Sequence, residues 1–441
     1  MQPHTALRHL ALKITQNFWF VPIVLTVLGG VGGLAAIAFD ETAYARELVG
    51  SKIILAITVD GGRSVVSTVA GGIVTMASLV FSLTFIALTL MSQQLGPRLI
   101  PIFVRDRFAK FTFGLFTGAF LFSLVVLVVT GTGQKGNFVP VFSLLAVIAL
   151  AVVSFCLMIV YINHIATAIQ ADTLIVRLGT DMKRALEKSS ADLTTHTTQR
   201  ASDFELDWVE DEHEGVEIRS SETGYIAAID TSQMVKTLEK HDLCGVLLCR
   251  PGHFCAKDMP IMRIAPRSFS VDREIASKLL EAIVIEPTRA VSETGEFELN
   301  ALVEVALRAL SPGMNDTYTA LACIDQITAA FIDILKGGPR TRSMKDSAGK
   351  TRLLLYDQGF NHFLNTAFHP IRHAARDNPL ALGRLANAYL LLNSAGANRP
   401  EVRRNIAKHL KAMKETIKNN VSTADDREHL LQHLVNRSLQ K

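Results

Sequence analysis

Small and hydroxyl-bearing residues recur along the apolar stretch "AGGIVTMASLVFSLTFIALTLMSQQLGPR", which covers residues 70–98. On a helix, where successive residues are 100° apart, they fall within one arc of about 100°. We call this arc the small face; it consists of Ser64, Ser67, Gly71, Thr75, Ser78, Ser82, Thr89, Ser92 and Gly96. Only Val74 and Phe85 interrupt it. Hydroxyl groups in such a row can line a water-filled path for ions, and a lone bulky residue can gate that path by dewetting.

Two structures explain a small face. Helices that pack tightly in lipid use Gly, Ser and Thr because small side chains let two backbones approach, and a hydroxyl can bond to its own i−4 carbonyl. A helix that borders water also favours hydroxyls, and then Phe85 would form the constriction. The sequence leaves both readings open. The residues predicted to line a pore are Ser67, Gly71, Thr75, Ser78, Ser82, Phe85, Thr89 and Ser92.

Four apolar runs provide the elements that would hold this face in a membrane. The chain has 441 residues, of which 49% are hydrophobic and 20% charged. A helix of about 20 apolar residues crosses the hydrocarbon core, and residues 18–39, 65–91, 108–130 and 138–161 are long enough. We predict that no apolar run after residue 163 is long enough to cross the membrane. We therefore predict an α-helical membrane protein with four transmembrane helices over residues 1–163 and a soluble region after them.

Basic residues in the short loops predict the orientation. The leader carries Arg8 and Lys13 and no acid, whereas residues 40–64 carry three basic and four acidic side chains. Residues 92–107 carry three arginines and one aspartate. Both termini are therefore predicted to be cytoplasmic. Arg98, Arg105, Arg107 and His164 would surround the cytoplasmic mouth, and the arginines would give a weak preference for anions.

A cleaved signal peptide is the alternative for the first apolar run, because "TAYA" at residues 42–45 has the small-x-small pattern of a cleavage site. The run is longer than the apolar core of a signal peptide, which has about 7–15 residues. We predict a retained span.

Three separated motifs resemble a known family. They are "AGGIVTMASLVFSLTFIALTLMSQQLGPRLIPIFVRDR" at residues 70–107, "INHIATAIQ" at residues 162–170 and "ALRALSPGMNDTYTAL" at residues 306–321. Together they resemble the bacterial membrane-protein family called domain of unknown function 2254. The resemblance implies a bacterial inner-membrane location and a helical amino-terminal membrane domain, and it implies no activity.

The region after the spans divides by composition into three parts. Residues 164–215 read as a juxtamembrane helix followed by an acidic linker. Residues 216–268 hold short alternating segments such as "GYIAAID" and "LCGVLLC", which predict a small β-barrel or sandwich. Residues 269–441 show helical periodicity, with amphipathic runs that include one starting at Arg352, and predict an all-α bundle.

Few residues of the soluble region suggest chemistry. In "SPGMND", Asn315 and Asp316 lie where a helix amino terminus could bind an anion, although a turn with a capping aspartate explains them better. His362, His369 and His373 share a helix face, but arginines nearby disfavour a metal cation.

Other motifs of catalysis and binding are not seen in the sequence. The five cysteines form no C-x-x-C pair, so neither a metal nor a disulfide is predicted. No phosphate loop, nucleophile motif or basic-aromatic surface is seen. The hairpin "RPGHFCAKDMPIMRI" is similar to that of biotinyl and lipoyl carriers but lacks their modifiable lysine. We predict no enzyme activity, no cofactor and no nucleic-acid partner.

Two classes of function follow. In the first, copies of the chain form a homo-oligomeric ion channel or transporter, because four spans are too few to enclose a pore alone, and the soluble region regulates it. The partners would be the lipid bilayer, further copies of the chain and a small ion. The loop at residues 98–107 would touch the helix at residues 162–170, and titration of His164 near pH 6.5 would modulate gating. In the second, the chain is a membrane-anchored sensor or scaffold without transport.

Overall fold

The computed structural model describes residues 18–42, 58–100, 106–130, 139–191, 215–265, 272–287, 295–336, 343–355 and 359–439. The chain forms two compact units, Met1–Thr173 and Leu174–Lys441.

The first unit is helical. Its main helices are α1 (Phe20–Asp40), α2 (Val59–Gln94), α3 (Arg107–Val129) and α4 (Val141–Ala168), with a short 3-10 turn at Pro97–Leu99. All four are long and apolar enough to cross a membrane. At 1.5 Å per residue, the 36 residues of α2 extend about 54 Å, well beyond a bilayer core of about 30 Å.

Glycines bring α1 and α3 together. A Cβ atom at Gly118 would lie 2.6 Å from the carbonyl oxygen of Leu25, and one at Gly114 would lie 2.6 Å from Leu25 Cδ1. Close backbone approach at small residues is a usual means of helix packing in membranes. Helix α3 also contacts α2 and α4, so it forms the centre of this unit.

The second unit begins within α5 (Ala171–Ala191) and contains two sheets. The strands are β1 (Val216–Arg219), β2 (Gly224–Ile229), β3 (Cys244–Leu247), β4 (Phe254–Cys255), β5 (Pro260–Ala265), β6 (Ile283–Glu286), β7 (Ser343–Lys345) and β8 (Thr351–Leu354). One sheet has the order β1-β5-β3-β8-β7, and the other has the order β4-β2-β6. Strand β3 pairs in parallel with β8, and the other pairs are antiparallel.

Helices α6 (Thr231–Lys240) and α7 (Arg273–Glu281) pack against the strands. Met234, Leu238 and Leu279 join the strand residues in one buried core. The predicted strands are therefore present, but helices share their core and both sheets have open edges. The predicted barrel is not confirmed.

The remaining helices are α8 (Glu296–Ala309), α9 (Thr317–Lys336), α10 (Gly359–Ala374), α11 (Pro379–Ala395), α12 (Pro400–Asn420) and α13 (Ala424–Leu439). Helix α9 contacts α8 and α11. Phe331, Phe368 and Tyr389 from α9, α10 and α11 are fully buried, with adjacent rings 5.8 Å and 5.5 Å apart.

Two predictions about this region were wrong. Residues 269–441 are not all helical, because β6, β7 and β8 lie within them and Arg352 is in a strand. The pairing of Gly245 with Leu353 joins segments far apart in sequence, and such a contact is not encoded in local periodicity. In addition, Thr317–Leu335 is long and apolar enough to span, so the described residues contain five candidate spans, one more than predicted. Its apolar residues serve packing, since about half of this stretch is buried in the protein.

Candidate functional site

The small face of α2 points away from the other helices of its unit. The residues of α2 that are buried are Gly62, Val66, Ala70, Ile73, Val80, Ala87 and Met91. At 100° per residue they lie on the side opposite the small face. Of the predicted pore-lining residues, Ser67, Gly71, Thr75, Ser78, Ser82, Phe85 and Thr89 are exposed, and Ser92 is half-buried. Within the described part of the chain, the small face from Ser67 to Thr89 therefore takes no part in packing. Gly96, which the sequence placed on this face, lies beyond the end of α2 at Gln94 and is buried.

The glycines of α2 differ from those of α3. A Cβ atom at Gly71 or Gly72 would meet no atom within 4 Å, whereas one at Gly118 would clash with the backbone of α1. Close packing within the chain therefore accounts for Gly118 and leaves Gly71 unexplained.

The threonines of the small face donate their hydroxyl protons to carbonyl oxygens of their own helix. Thr75 Oγ1 donates to the carbonyl oxygen of Gly71 at 3.0 Å, and Thr89 Oγ1 donates to that of Phe85 at 2.9 Å. This pattern saturates the donor and leaves the oxygen lone pairs directed outward. The face can therefore accept hydrogen bonds from water or from a neighbouring chain.

A polar cluster lies where α3 begins and α4 approaches its end. Asp106 Oδ1 accepts from the backbone N–H of Phe108 at 2.8 Å and so caps α3. Asp106 Oδ2 lies 2.7 Å from His164 Nε2, and the rings of His164 and Phe108 are 4.9 Å apart. Sequence reasoning missed Asp106, and its position just before an apolar run was the available signal.

A second polar pair involves Thr84, a residue of α2 that lies off the small face. Its hydroxyl donates to the carbonyl oxygen of Val80 at 2.6 Å and lies 2.6 Å from the hydroxyl of Tyr161. Since the Thr84 proton is used by Val80, Tyr161 is the donor between the two hydroxyls. Tyr161 is almost fully buried, so this pair ties α2 to α4.

A lateral pocket of about 140 Å³ lies beside these polar groups. Phe81, Phe85 and Leu88 of α2 form one side, and Phe113 of α3 with Tyr161 of α4 forms the other. Its lining is almost wholly apolar. Phe85 thus belongs both to the edge of the small face and to the wall of this pocket.

The predicted cytoplasmic mouth is described only in part. Arg107 is the first residue of α3 and is exposed. His164 is paired with Asp106, which places one residue of the segment 98–107 against one of the segment 162–170. Arg105 and the side chain of Arg98 lie outside the described residues.

The "SPGMND" loop of the second unit has the geometry of a helix cap. Asn315 has a φ of 47°, in the left-handed region that asparagine tolerates. Asp316 accepts from the backbone N–H of Thr319 at 3.2 Å and from its hydroxyl at 2.6 Å. These contacts support the capping interpretation.

The histidines of α10 lie near arginines, and His362 also lies 4.0 Å from a carboxylate oxygen of Glu296. Arg250 Nη2 lies 3.4 Å from His362 Nε2 and 3.1 Å from Glu296, a buried ion pair that sequence reasoning missed. Burial and the charge of Arg250 lower the pKa of His362. The rings of His369 and His373 are 6.2 Å apart. In the described part of the chain, no group of three or more His, Cys, Asp or Glu could hold a metal ion.

The cysteine thiols of the β-region are placed as core residues. Cys249 and Cys255 are buried among the strands. Burial, together with the nearby Cys255, raises the pKa of Cys249 to about 12, which keeps its thiol protonated and unreactive at neutral pH.

Comparisons with known proteins agree with this membrane unit. The family described as a predicted membrane protein, DUF2254, matches residues 15–390, and the chain belongs to it. An uncharacterized protein of Mycobacterium bovis is 24% identical over 365 residues, which cover 81% of this chain and 68% of that protein. An uncharacterized protein of Mycobacterium tuberculosis matches with the same identity and coverage. No solved structure matches.

Proposed function

We propose that this DUF2254 protein is one subunit of a homo-oligomeric membrane channel or transporter, in which the small faces of several α2 helices surround a path for a small ion. The observation that carries the proposal is the outward direction of this face. Between Ser67 and Thr89, its hydroxyls and Gly71 have no packing role within the described part of the chain, although α2 has a second, apolar face that packs normally. In hydrocarbon, a long row of outward hydroxyls would gain little, whereas at a shared axis it would meet water.

In the proposed arrangement, α1 to α4 cross a bacterial inner membrane and both termini are cytoplasmic. Helix α9 belongs to the cytoplasmic region. Its Asp325 lies 3.0 Å from Arg384, and its Asp333 lies 2.7 Å from Lys183. Two ion pairs with neighbouring helices suit a helix in water rather than one facing lipid. The proposal includes no catalytic step and no cofactor.

The alternative is a membrane-anchored sensor or scaffold in which the small faces make a dry contact between copies. The hydrogen bond from Thr75 to Gly71 favours it, because a hydroxyl satisfied by its own helix needs no water. Both versions require an oligomer. A monomer by light scattering in several mild detergents would rule out both.

Water access distinguishes the two versions. After the native cysteines are replaced, single cysteines at Ser67, Ser78, Ser82 and Thr89 are treated with a small charged thiol reagent in liposomes. Control cysteines replace Ala70 and Ala87, which are similar in size and lie on the packed face. Further controls replace Leu79 and Leu90, which are exposed but off the small face.

A water-filled path predicts fast labelling at the first set and slow labelling at all controls, because a thiol in hydrocarbon or in a packed core does not ionise. Labelling without this periodicity would support the dry contact and overturn the channel. Disulfide formation between copies at Gly71 or Ser78 would locate the contact in either version.

A further inference from the structure

We propose that the lateral pocket of the membrane unit binds the acyl chain of one bilayer lipid. This inference goes beyond the proposed function. It does not depend on that function, because most residues of the pocket lie off the small face that would line the ion path. Its residues come from the start of the described chain at Phe18 and from α2, α3 and α4.

The size and lining of the pocket suit hydrocarbon. A volume of about 140 Å³ is close to that of apolar cavities that hold one benzene molecule, which is about 150 Å³. Four phenylalanines, Phe18, Phe81, Phe85 and Phe113, supply much of its wall. The end of one acyl chain would fill this space.

Water is a poor occupant because the polar groups of the pocket are already engaged. The hydroxyls of Thr84 and Tyr161 bond to each other, and the Asp106 carboxylate accepts from the N–H of Phe108 and lies against His164. A buried water needs about two to four polar partners. An apolar chain needs none, and it restores the contacts that an empty void would lose.

The pocket is open toward the surroundings of the helices. Phe81 is 51% exposed and Phe85 is 64% exposed. Both lie on α2 within a helix that is apolar enough to cross a membrane. In a bilayer, the medium outside Phe81, which lies off the small face, is lipid, so an acyl chain can enter past this residue sideways without crossing water.

Retention of lipid by the full-length protein provides the first test. The protein is extracted from nanodiscs of defined phospholipid into mild detergent, washed, and weighed by native mass spectrometry. We expect one tightly held phospholipid per subunit. Ala109→Leu fills the pocket from α3, and Leu88→Phe fills it from α2; each variant should reduce retention severalfold.

Ala149→Leu is the matched control, since Ala149 is exposed on α4 and away from the pocket. It should retain lipid as the parent does. Equal retention by the parent and both pocket-filling variants would overturn the proposal, and so would equal loss in the control.

A photoreactive phenylalanine analogue at Phe113 identifies the occupant directly. In nanodiscs free of detergent, we expect an adduct with the mass of one phospholipid, and Ala109→Leu should diminish it. A cross-linked dimer would show that a second copy fills the pocket. A cross-link to residues 1–17 would show that the chain fills its own pocket. Either result would overturn the lipid proposal, and neither would bear on water access to the small face.

Discussion

Asp40, the last residue of α1, caps the amino terminus of α4 through Ser143. Its Oδ2 accepts from the Ser143 backbone N–H at 2.9 Å and from the Ser143 hydroxyl at 2.6 Å, while Oδ1 accepts from the N–H of Phe142 at 2.9 Å. Asp40 is buried, at 6% exposure. A carboxylate at a helix amino terminus satisfies free N–H groups and is favoured by the helix dipole. One side chain thus joins the ends of two helices.

Removing this carboxylate should destabilise the membrane unit. We expect Asp40→Ala to lose about 1–3 kcal/mol, the usual effect of leaving buried donors without an acceptor. Asp40→Asn should lose less, because its amide oxygen can still accept. Thermal unfolding of the full chain in mild detergent measures the difference. Glu41→Ala is the control, since Glu41 is exposed at the next position; an equal effect there would refute the cap.

Glycines on α3 and α2 should respond oppositely to a methyl group. In Gly118→Ala the new Cβ would lie 2.6 Å from the Leu25 carbonyl oxygen. Because this oxygen belongs to the backbone, relieving the clash requires the two helices to move apart. We expect a loss of about 1–3 kcal/mol, as for overpacked cores. Gly71→Ala meets nothing within the chain and should leave the stability of the monomer unchanged or slightly raised. Unfolding in detergent that keeps the protein monomeric tests the pair. Equal effects would contradict the assigned packing.

Apolar length was the part of the fold that the sequence encoded most directly. The run at residues 65–91 became α2, Val59–Gln94, and the run at residues 108–130 became α3, Arg107–Val129. Each is a local property of the chain, so hydropathy was sufficient. The hydrogen bond from the Phe142 N–H to Asp40 joins residues 102 positions apart, and no local sequence pattern predicts such a contact.

The small face shows a different limit. Periodicity placed Ser78 and Val80 on opposite sides of one helix, but it could not say which side packs within the chain. The structure assigns packing to the side of Val80. Whether the side of Ser78 meets water or another copy depends on neighbours outside one chain, so its pore-lining role stays a prediction.

Buried His409 should make α12 sensitive to acid. Burial, together with the charges of Arg372 and His369, lowers its pKa from 6.5 to about 4, and the Tyr389 hydroxyl lies 3.3 Å from Nδ1. Between these two values the unfolded chain binds a proton that the folded chain does not. Stability is therefore lost as the pH falls from about 6.5 to about 4, by up to about 3 kcal/mol.

Amide hydrogen exchange in α12 measures this loss. Protection should fall over that pH interval in the parent, and His409→Gln should flatten the dependence. His429→Gln is the control, because His429 is exposed on α13. If His409→Gln retains the full dependence, another group is responsible.

The final prediction concerns Phe85 as the constriction of the proposed path. Phe85→Ala should raise ion leakage from liposomes severalfold, because removing one aromatic ring from each subunit lowers a barrier of dewetting. Phe81→Ala is the matched control. Phe81 also lines the lateral pocket and is 51% exposed, but it lies further around α2 from the small face. Both variants remove one aromatic ring from the wall of the pocket. If only Phe85→Ala raises the ion leakage, the leakage therefore occurs through the proposed path and not through the pocket. If neither variant conducts more than the parent, Phe85 is no gate. If both variants raise the ion leakage equally, the leak comes from the pocket side of the helix, and Phe85 is not the constriction of the proposed channel.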